Sequence, residues 1–230
     1  MTEKLTTEKI EEIGKHYENI QSGKTPIIKS EKETMSAHLD VNKLMEKKDE
    51  KTVLPLIPPT DPRLLMQIAP FEDSTLEQFK LKDRKELGKI MYDTMVKYGG
   101  LGLSCNQVGL PYRMFVMGGH PRIEDGKVRY VFNPLVNDVS EEIIVFKEGC
   151  LSFPFLFLSI KRPKWVSIKY TDENNEEIEE TLHSMSARIF QHENEHMNGY
   201  LFTDLVSKFK LDRAKKAQKK LIKETVRKQR

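Results

Sequence analysis

Between residues 75 and 98 the apolar positions recur every three or four residues, as on one face of an α-helix. The residues of this face are Leu76, Phe79, Leu87, Ile90, Met91 and Met95. The spacing predicts a helix from about residue 75 to Tyr98. Gly99 and Gly100 follow it directly, and glycine commonly ends a helix because it adopts the left-handed backbone conformation easily.

After this helix come short runs rich in β-branched and aromatic residues, which are typical of strands. The predicted strands are 112–117, 128–136, 143–146, 165–171 and 177–182. Residues 172–175 (DENN) separate the last two strands and predict a hairpin turn. Helices are predicted at 185–197 and 208–230. Strands followed by a helix indicate an α+β domain rather than alternating βαβ units.

Residues 1–52 form a predicted N-terminal extension. Apolar residues at helical spacing between 10 and 20, and a capping box at Ser30-x-x-Glu33, predict two weak helices. Neither has enough apolar area for its own core, so we expect partial docking on the main domain. Prolines between residues 55 and 62 indicate an extended linker. The chain then divides into the extension, a main domain at 53–207 and a C-terminal helix at 208–230.

Composition and charge limit the class of protein. The 230 residues are 38% hydrophobic and 32% charged, without an apolar run of the about 18 residues that a membrane helix needs. A signal or transit peptide is not evident, so we expect a cytoplasmic protein with no membrane partner. The formal net charge is +3 for the whole chain but +9 for residues 208–230 alone. This basic tail predicts either a polyanionic partner or a solvated helix face.

The segment 192–196 (HENEH) points to metal chemistry. Residues four apart lie on nearly the same face of a helix, so His192 and His196 can bind one ion. Glu193 lies about 100° around the helix, where it can take a proton from a bound water. The alternative is a charged, solvated helix face.

A catalytic metal site normally has three protein ligands and an open position. One class of zinc peptidases has a third histidine ligand ten residues after the first, where this chain has Phe202. Another class has a glutamate ligand well beyond the helix, and the only late candidate here is Glu224, which lies in the basic tail. Cys150 is the upstream candidate, because a thiolate with two imidazoles suits Zn²⁺, Fe²⁺ or Co²⁺. By itself, however, such a cysteine is more often a small buried apolar residue.

Three segments, in order, resemble the motifs of the peptide deformylases: 100–107 (GLGLSCNQ), 148–152 (EGCLS) and 191–196 (QHENEH). The likeness covers roughly residues 55–208. It implies an α+β fold with mixed or antiparallel strands packed around the helix of the third motif. It also implies an enzyme that removes the formyl group from the N-formylmethionine of nascent polypeptides.

The resemblance assigns roles by position. Cys150, His192 and His196 match the family's metal ligands, and Glu193 matches the general acid/base of hydrolysis by a metal-activated hydroxide. The ion that the resemblance favours is Fe²⁺, with Zn²⁺, Ni²⁺ or Co²⁺ as substitutes.

The resemblance also extends to substrate-binding groups. The Gln107 side-chain amide and the Leu151 backbone N–H match the donors to the developing oxyanion; by itself, Gln107 would be interpreted as an amide that stabilises a turn. A basic C-terminal helix docks on the ribosome in several deformylases, and 208–230 resembles it. The positions that resemble the methionine pocket are Leu101, Gly102, Phe146, Met185 and Ile189.

Some positions depart from the family pattern. Ser104 and Cys105 stand where a pair of alanines is usual, and Glu195 stands where Asp is usual. Arg162 follows the second motif, and we expect it to pair with Glu148. Two other functions remain open from the residues: a metallopeptidase that cuts longer chains, and an RNA- or ribosome-binding adaptor with a vestigial metal site.

Overall fold

The computed structural model of the chain describes residue 45 and residues 52–228, without the side chains of residues 225, 226 and 228. The two weak helices predicted in the N-terminal extension lie outside the described residues. Met45 is buried in the same core cluster as Leu54. Within the described part of the chain, no helix has the length and apolar character required to cross a membrane.

The described residues form two antiparallel sheets. Their strands are β1 (Gly102–Ser104), β2 (Met114–Gly118), β3 (Val128–Val139), β4 (Ile143–Cys150), β5 (Phe153–Pro163), β6 (Trp165–Thr171) and β7 (Glu177–His183). The larger sheet has the order β1-β2-β3-β6-β7, and β4-β5 is a separate pair. The predicted hairpin at 172–175 is confirmed, since it joins β6 to β7.

The α-helices in the described part are α1 (Arg84–Lys97), α2 (Ser184–Met197) and α3 (Lys208–Lys228). The helix predicted from residue 75 to 98 is therefore wrong in its first third. Asp73–Phe79 is a 3-10 helix that ends at Lys80, whose φ of 54° is left-handed. The Asp83 side chain then caps α1 by accepting a hydrogen bond from the Glu86 N–H. The predicted helix is thus two elements, although the apolar residues of both pack in the same core cluster.

The strand predicted at 143–146 continues to Cys150, and the sequence pattern does not predict its partner β5. In β5 the side chains of Leu156, Leu158 and Ile160 are buried, whereas Phe155 and Phe157, which alternate with the first two, are exposed. Because both faces carry apolar residues, the alternation that marks a half-buried strand is hidden in the sequence.

Helix α2 is enclosed by the rest of the domain, since every residue from Ser186 to Met197 is buried. It contacts β1, β2, β5, β6 and β7. Phe190 and Met197 belong to the core cluster of the larger sheet. The interpretation of 192–196 as a solvated helix face is therefore wrong. The α+β fold with strands around the motif helix is confirmed.

Candidate metal centre and active site

Cys150, His192 and His196 lie together where the end of β4 meets α2. Their possible ligand atoms are all within 4.8 Å of one another, and Cys150 Sγ lies 3.3 Å from His196 Nε2. Two donors that each bind one ion at about 2.0–2.3 Å are separated by a distance of this size. The buried sulfur and nitrogen donors thus fit one divalent cation.

The protonation states of Cys150 and His192 depend on each other. Burial raises the pKa of the Cys150 thiol, but the charge of His196 and hydrogen bonds from both histidines outweigh burial and lower the pKa to about 6. The lowered pKa favours the thiolate, which is the metal-binding form of a cysteine. Burial lowers the pKa of His192, but its hydrogen bonds with Cys150 and Glu148 outweigh burial and raise that pKa, so a bound metal would displace a proton from this cluster. His192 Nδ1 lies 3.2 Å from Glu148 Oε2, so its Nε2 remains for the ion.

A network of buried ion pairs adjoins these three side chains. Arg162 donates to both carboxylate oxygens of Glu148, at 2.7 and 2.9 Å, and to both of Glu195, at 2.6 and 2.9 Å. The predicted pair of Arg162 and Glu148 is confirmed. Arg188 also donates to Glu148. Although burial raises the pKa of Glu148, the charge of Arg162 and the contact with His192 hold it well below its usual range.

A cleft of about 710 Å³ opens beside the ligand cluster. The five residues predicted for a methionine pocket all line it: Leu101, Gly102, Phe146, Met185 and Ile189. Tyr98, Phe155 and Phe157 line it as well, although no motif marks them. Arg188 is a further lining residue that the sequence analysis missed. It lies four residues before His192, and that helical spacing is a signal that could have found it.

Glu193 is buried at the wall of this cleft and faces β1. Its Oε2 accepts a hydrogen bond from the Ser104 hydroxyl at 2.6 Å. Gly102 makes room for the carboxylate, because a Cβ at that position would lie 2.5 Å from Glu193 Oε1. A carboxylate held at a cleft wall beside a metal-ligand cluster can exchange a proton with a bound molecule.

Gln107 and Leu151 line the same cleft. Gln107 Oε1 accepts a hydrogen bond from the Ser104 N–H at 2.9 Å, which stabilises the turn at Cys105–Val108. Its Nε2 donates to Ser152 Oγ at 3.1 Å and lies 3.4 Å from Cys150 Sγ. The oxygen of the Gln107 amide thus stabilises the turn, whereas its nitrogen contacts Ser152 and Cys150.

Known proteins with the same sequence pattern identify the family. The sequence profile of the polypeptide deformylase family matches residues 53–212. The chain belongs to this family. The peptide deformylase of Wolbachia pipientis subsp. Culex pipiens (strain wPip) is 41% identical over 170 residues, which are 68% of this chain and 95% of that protein.

Solved deformylase structures have the same fold. The crystal structure of the peptide deformylase from Ehrlichia chaffeensis is 34% identical, with a TM-score of 0.64, and the match covers 75% of this chain and 99% of that chain. The Met-Ala-Ser-bound class I type b deformylase from Acinetobacter baumannii is 28% identical, with a TM-score of 0.61, over 68% of this chain and 99% of that chain.

Family membership gives the reaction. The chain is a metal-dependent hydrolase that removes the formyl group from the N-formylmethionine of nascent polypeptides. Its metal-binding group consists of one cysteine and two histidines. The predicted family and enzyme class are confirmed, and the metallopeptidase and the vestigial adaptor are set aside.

Proposed function

We propose that deformylation in this chain uses Cys150, His192 and His196 as the ligands of one divalent ion and Glu193 as the general acid/base. The observation that carries the proposal is their juxtaposition. Three buried ligand atoms lie within 4.8 Å of one another, and a buried carboxylate stands beside them at the wall of one cleft.

The proposed roles follow from the chemistry of each group. A bound divalent ion lowers the pKa of water and polarises the formyl carbonyl. Glu193 accepts a proton from the attacking water and donates a proton to the leaving amine nitrogen. The Gln107 Nε2 amide and the Leu151 N–H donate hydrogen bonds to the formyl oxygen as it gains negative charge. These donors stabilise the transition state more than the ground state.

The proposed binding site for the methionine side chain is the apolar part of the cleft. Met185 and Ile189 of α2, Leu101 and Gly102 at β1, and Phe146 of β4 all line this cleft. The Acinetobacter baumannii relative is bound to Met-Ala-Ser. We therefore expect formyl-Met-Ala-Ser to be a suitable test substrate for this chain.

The variant Glu193→Gln tests the role of the carboxylate. We expect kcat for formate release from formyl-Met-Ala-Ser to fall by at least about 100-fold, because the amide cannot accept and return a proton. Elemental analysis should show unchanged metal content. The exposed Glu142→Gln is the matched control. A metal-loaded Glu193→Gln protein with the wild-type kcat would exclude Glu193 as the general acid/base.

The proposed physiological ion is Fe²⁺. A thiolate with two imidazoles accommodates Fe²⁺ as well as Zn²⁺, Ni²⁺ or Co²⁺, so the donor set alone does not choose. Purification without oxygen, followed by elemental analysis and activity per bound ion, distinguishes them. We expect iron in the anaerobic protein and a loss of activity on exposure to air. Zinc at full occupancy with higher activity per ion than iron would reject this assignment.

We also propose that the chain works in the cytoplasm, where the basic helix 208–230 brings the catalytic domain 53–207 to the ribosome. The lysines and arginines of the described part of α3 are largely exposed, and such a run binds RNA phosphates in a salt-dependent way. The first half of α3 is attached to the domain, because Leu211 and Ala214 pack on the β5 core cluster. Gln218 Nε2 also donates to the Pro154 carbonyl at 2.8 Å.

Because α3 contributes to the core, charge substitution is a cleaner test than deletion. We expect the triple change of Lys215, Lys219 and Lys223 to glutamine to reduce co-sedimentation with ribosomes at low salt, with turnover on short peptides unchanged. The matched control changes three exposed cations outside α3, namely Lys82, Lys85 and Arg122. Equal co-sedimentation of both triple variants would refute the docking proposal.

A further inference from the structure

Strand β1 lies directly against the carboxylate of Glu193. The Ser104 hydroxyl donates to Glu193 Oε2 at 2.6 Å and lies 3.3 Å from the Glu193 backbone oxygen. Ser104 is fully buried, and Glu193 is only 4% exposed. Water therefore competes little for this bond, and a hydrogen bond between two buried groups is stronger than the same bond in water.

The second oxygen of the carboxylate is located by the same strand. Gly102 is two residues before Ser104, so both positions lie on one face of β1. A Cβ at Gly102 would be 2.5 Å from Glu193 Oε1, so this oxygen occupies the space that the missing side chain leaves. One oxygen is held by a donor and the other by shape, which fixes the plane of the carboxylate at the cleft wall.

Neighbouring groups do not duplicate the serine. The Gln107 side chain is engaged elsewhere, with its Oε1 on the Ser104 N–H and its Nε2 on Ser152 Oγ. Cys105, the next residue, packs against Met114 instead of Glu193. Among the side-chain hydrogen bonds of residues 52–228, the bond from Ser104 is the one that reaches the Glu193 carboxylate.

We propose that Ser104 is a positioning residue for the reaction. Its hydroxyl holds Glu193 Oε2 and thereby keeps Oε1 toward the substrate cleft, over Gly102. This inference rests on the proposed role of Glu193 as general acid/base. Without the hydroxyl, the carboxylate samples other orientations, and only a fraction of them is productive for proton transfer.

The test compares Ser104→Ala with Cys105→Ala, two adjacent buried positions of which one contacts Glu193. For the metal-loaded full chain, we expect Ser104→Ala to lower kcat on formyl-Met-Ala-Ser about tenfold, the effect of losing one buried hydrogen bond. KM and metal content should not change. Cys105→Ala should leave kcat unchanged, and Ser104→Thr, which keeps a hydroxyl, should recover most of the rate.

A double-mutant cycle separates positioning from general damage to the site. In a Glu193→Ala background there is no carboxylate to orient, so adding Ser104→Ala should not alter the residual rate. An equal loss in both backgrounds, or a wild-type kcat in metal-loaded Ser104→Ala, would overturn the proposal. If Glu193→Ala itself keeps the wild-type rate, the proposed function fails. An inactive Glu193→Ala with a fully active Ser104→Ala rejects only the positioning role.

Discussion

The two cysteines are both buried, yet their surroundings shift their pKa values in opposite directions. Burial raises the pKa of Cys105 far above its usual value, and its sulfur lies 3.6 Å from Met114 Sδ. Burial acts in the same direction on Cys150, but the two histidines outweigh it and lower that pKa to about 6. Only Cys150 therefore presents a thiolate at neutral pH.

This difference leads to a matched prediction. We expect Cys150→Ala to lose the bound ion, because two imidazoles alone leave the site without its anionic donor. Cys105→Ala should keep one metal ion per chain, because the Cys105 thiol contacts Met114 and no charged group. Elemental analysis of the two purified variants checks this. Full metal content in Cys150→Ala would show that the cysteine is not a ligand.

At the residue scale, the sequence predicts which side chains of α2 form the site, but it does not predict what these side chains contact. His192, Glu193 and His196 follow from helix geometry within one turn of α2. The thiolate character of Cys150 depends on histidines more than 40 residues away, so local sequence could not show it. The hydroxyl of Ser104 is visible in the sequence only as a departure from the family pattern. Its contact with Glu193 comes from the packing of β1 on α2.

At the element scale, Arg162 joins the strand and the helix that carry the proposed metal ligands. It extends from β5 to Glu148 on β4 and to Glu195 on α2, with only 1% of the side chain exposed. Pairing with Glu148 could be predicted from the motif. The bond to Glu195 could not, because it requires knowing that β5 exists and lies against α2.

The variant Arg162→Met tests this link. It leaves buried carboxylates without their shared cation, so we expect the free energy of unfolding to fall by about 3–5 kcal/mol. Metal content should fall as well, because β4 and α2 are no longer tied. Urea unfolding and elemental analysis measure the two effects, with the exposed Arg122→Met as control. Unchanged stability and metal content would show that Arg162 does not stabilise the contact between β4 and α2.

The larger sheet carries a second charge network, on β3 and β7. Arg129 donates to Glu180 at 2.7 and 2.9 Å and to Glu124 at 2.7 and 3.0 Å. Burial raises the pKa of Glu180, but hydrogen bonds from Arg129 and Tyr170 and the charge of Arg129 outweigh it and lower the pKa to about 2. The folded state therefore favours the ionised carboxylate.

A pH dependence of stability follows from this shift. The folded pKa is below the unfolded value, so the contribution is complete above about pH 4.5 and is lost as the pH falls toward 2. We expect Glu180→Gln to be less stable than the wild type at pH 7, with the difference shrinking by pH 3. Chemical denaturation at several pH values measures it, with the exposed Glu176→Gln as control. A difference independent of pH would contradict the assignment.

At the scale of the whole molecule, the cleft brings together segments that are distant in the chain. Residues 98–102, the pair β4-β5 and helix α2 each supply part of its lining. The fold class could be predicted from the order of elements, and the family from three motifs in sequence. The contribution of Phe155 and Phe157 to the lining could not, because it depends on a strand whose two faces are both apolar.

This chain is a deformylase, and we propose that it acts at the cluster of Cys150, His192 and His196. The most direct measurement is formate release from formyl-Met-Ala-Ser by the anaerobically purified, metal-analysed full chain, beside the unformylated Met-Ala-Ser. We expect formate from the first peptide in proportion to bound metal, and no cleavage of the peptide bonds in either. A metal-loaded protein that releases no formate, or that cuts Met-Ala-Ser, would contradict it.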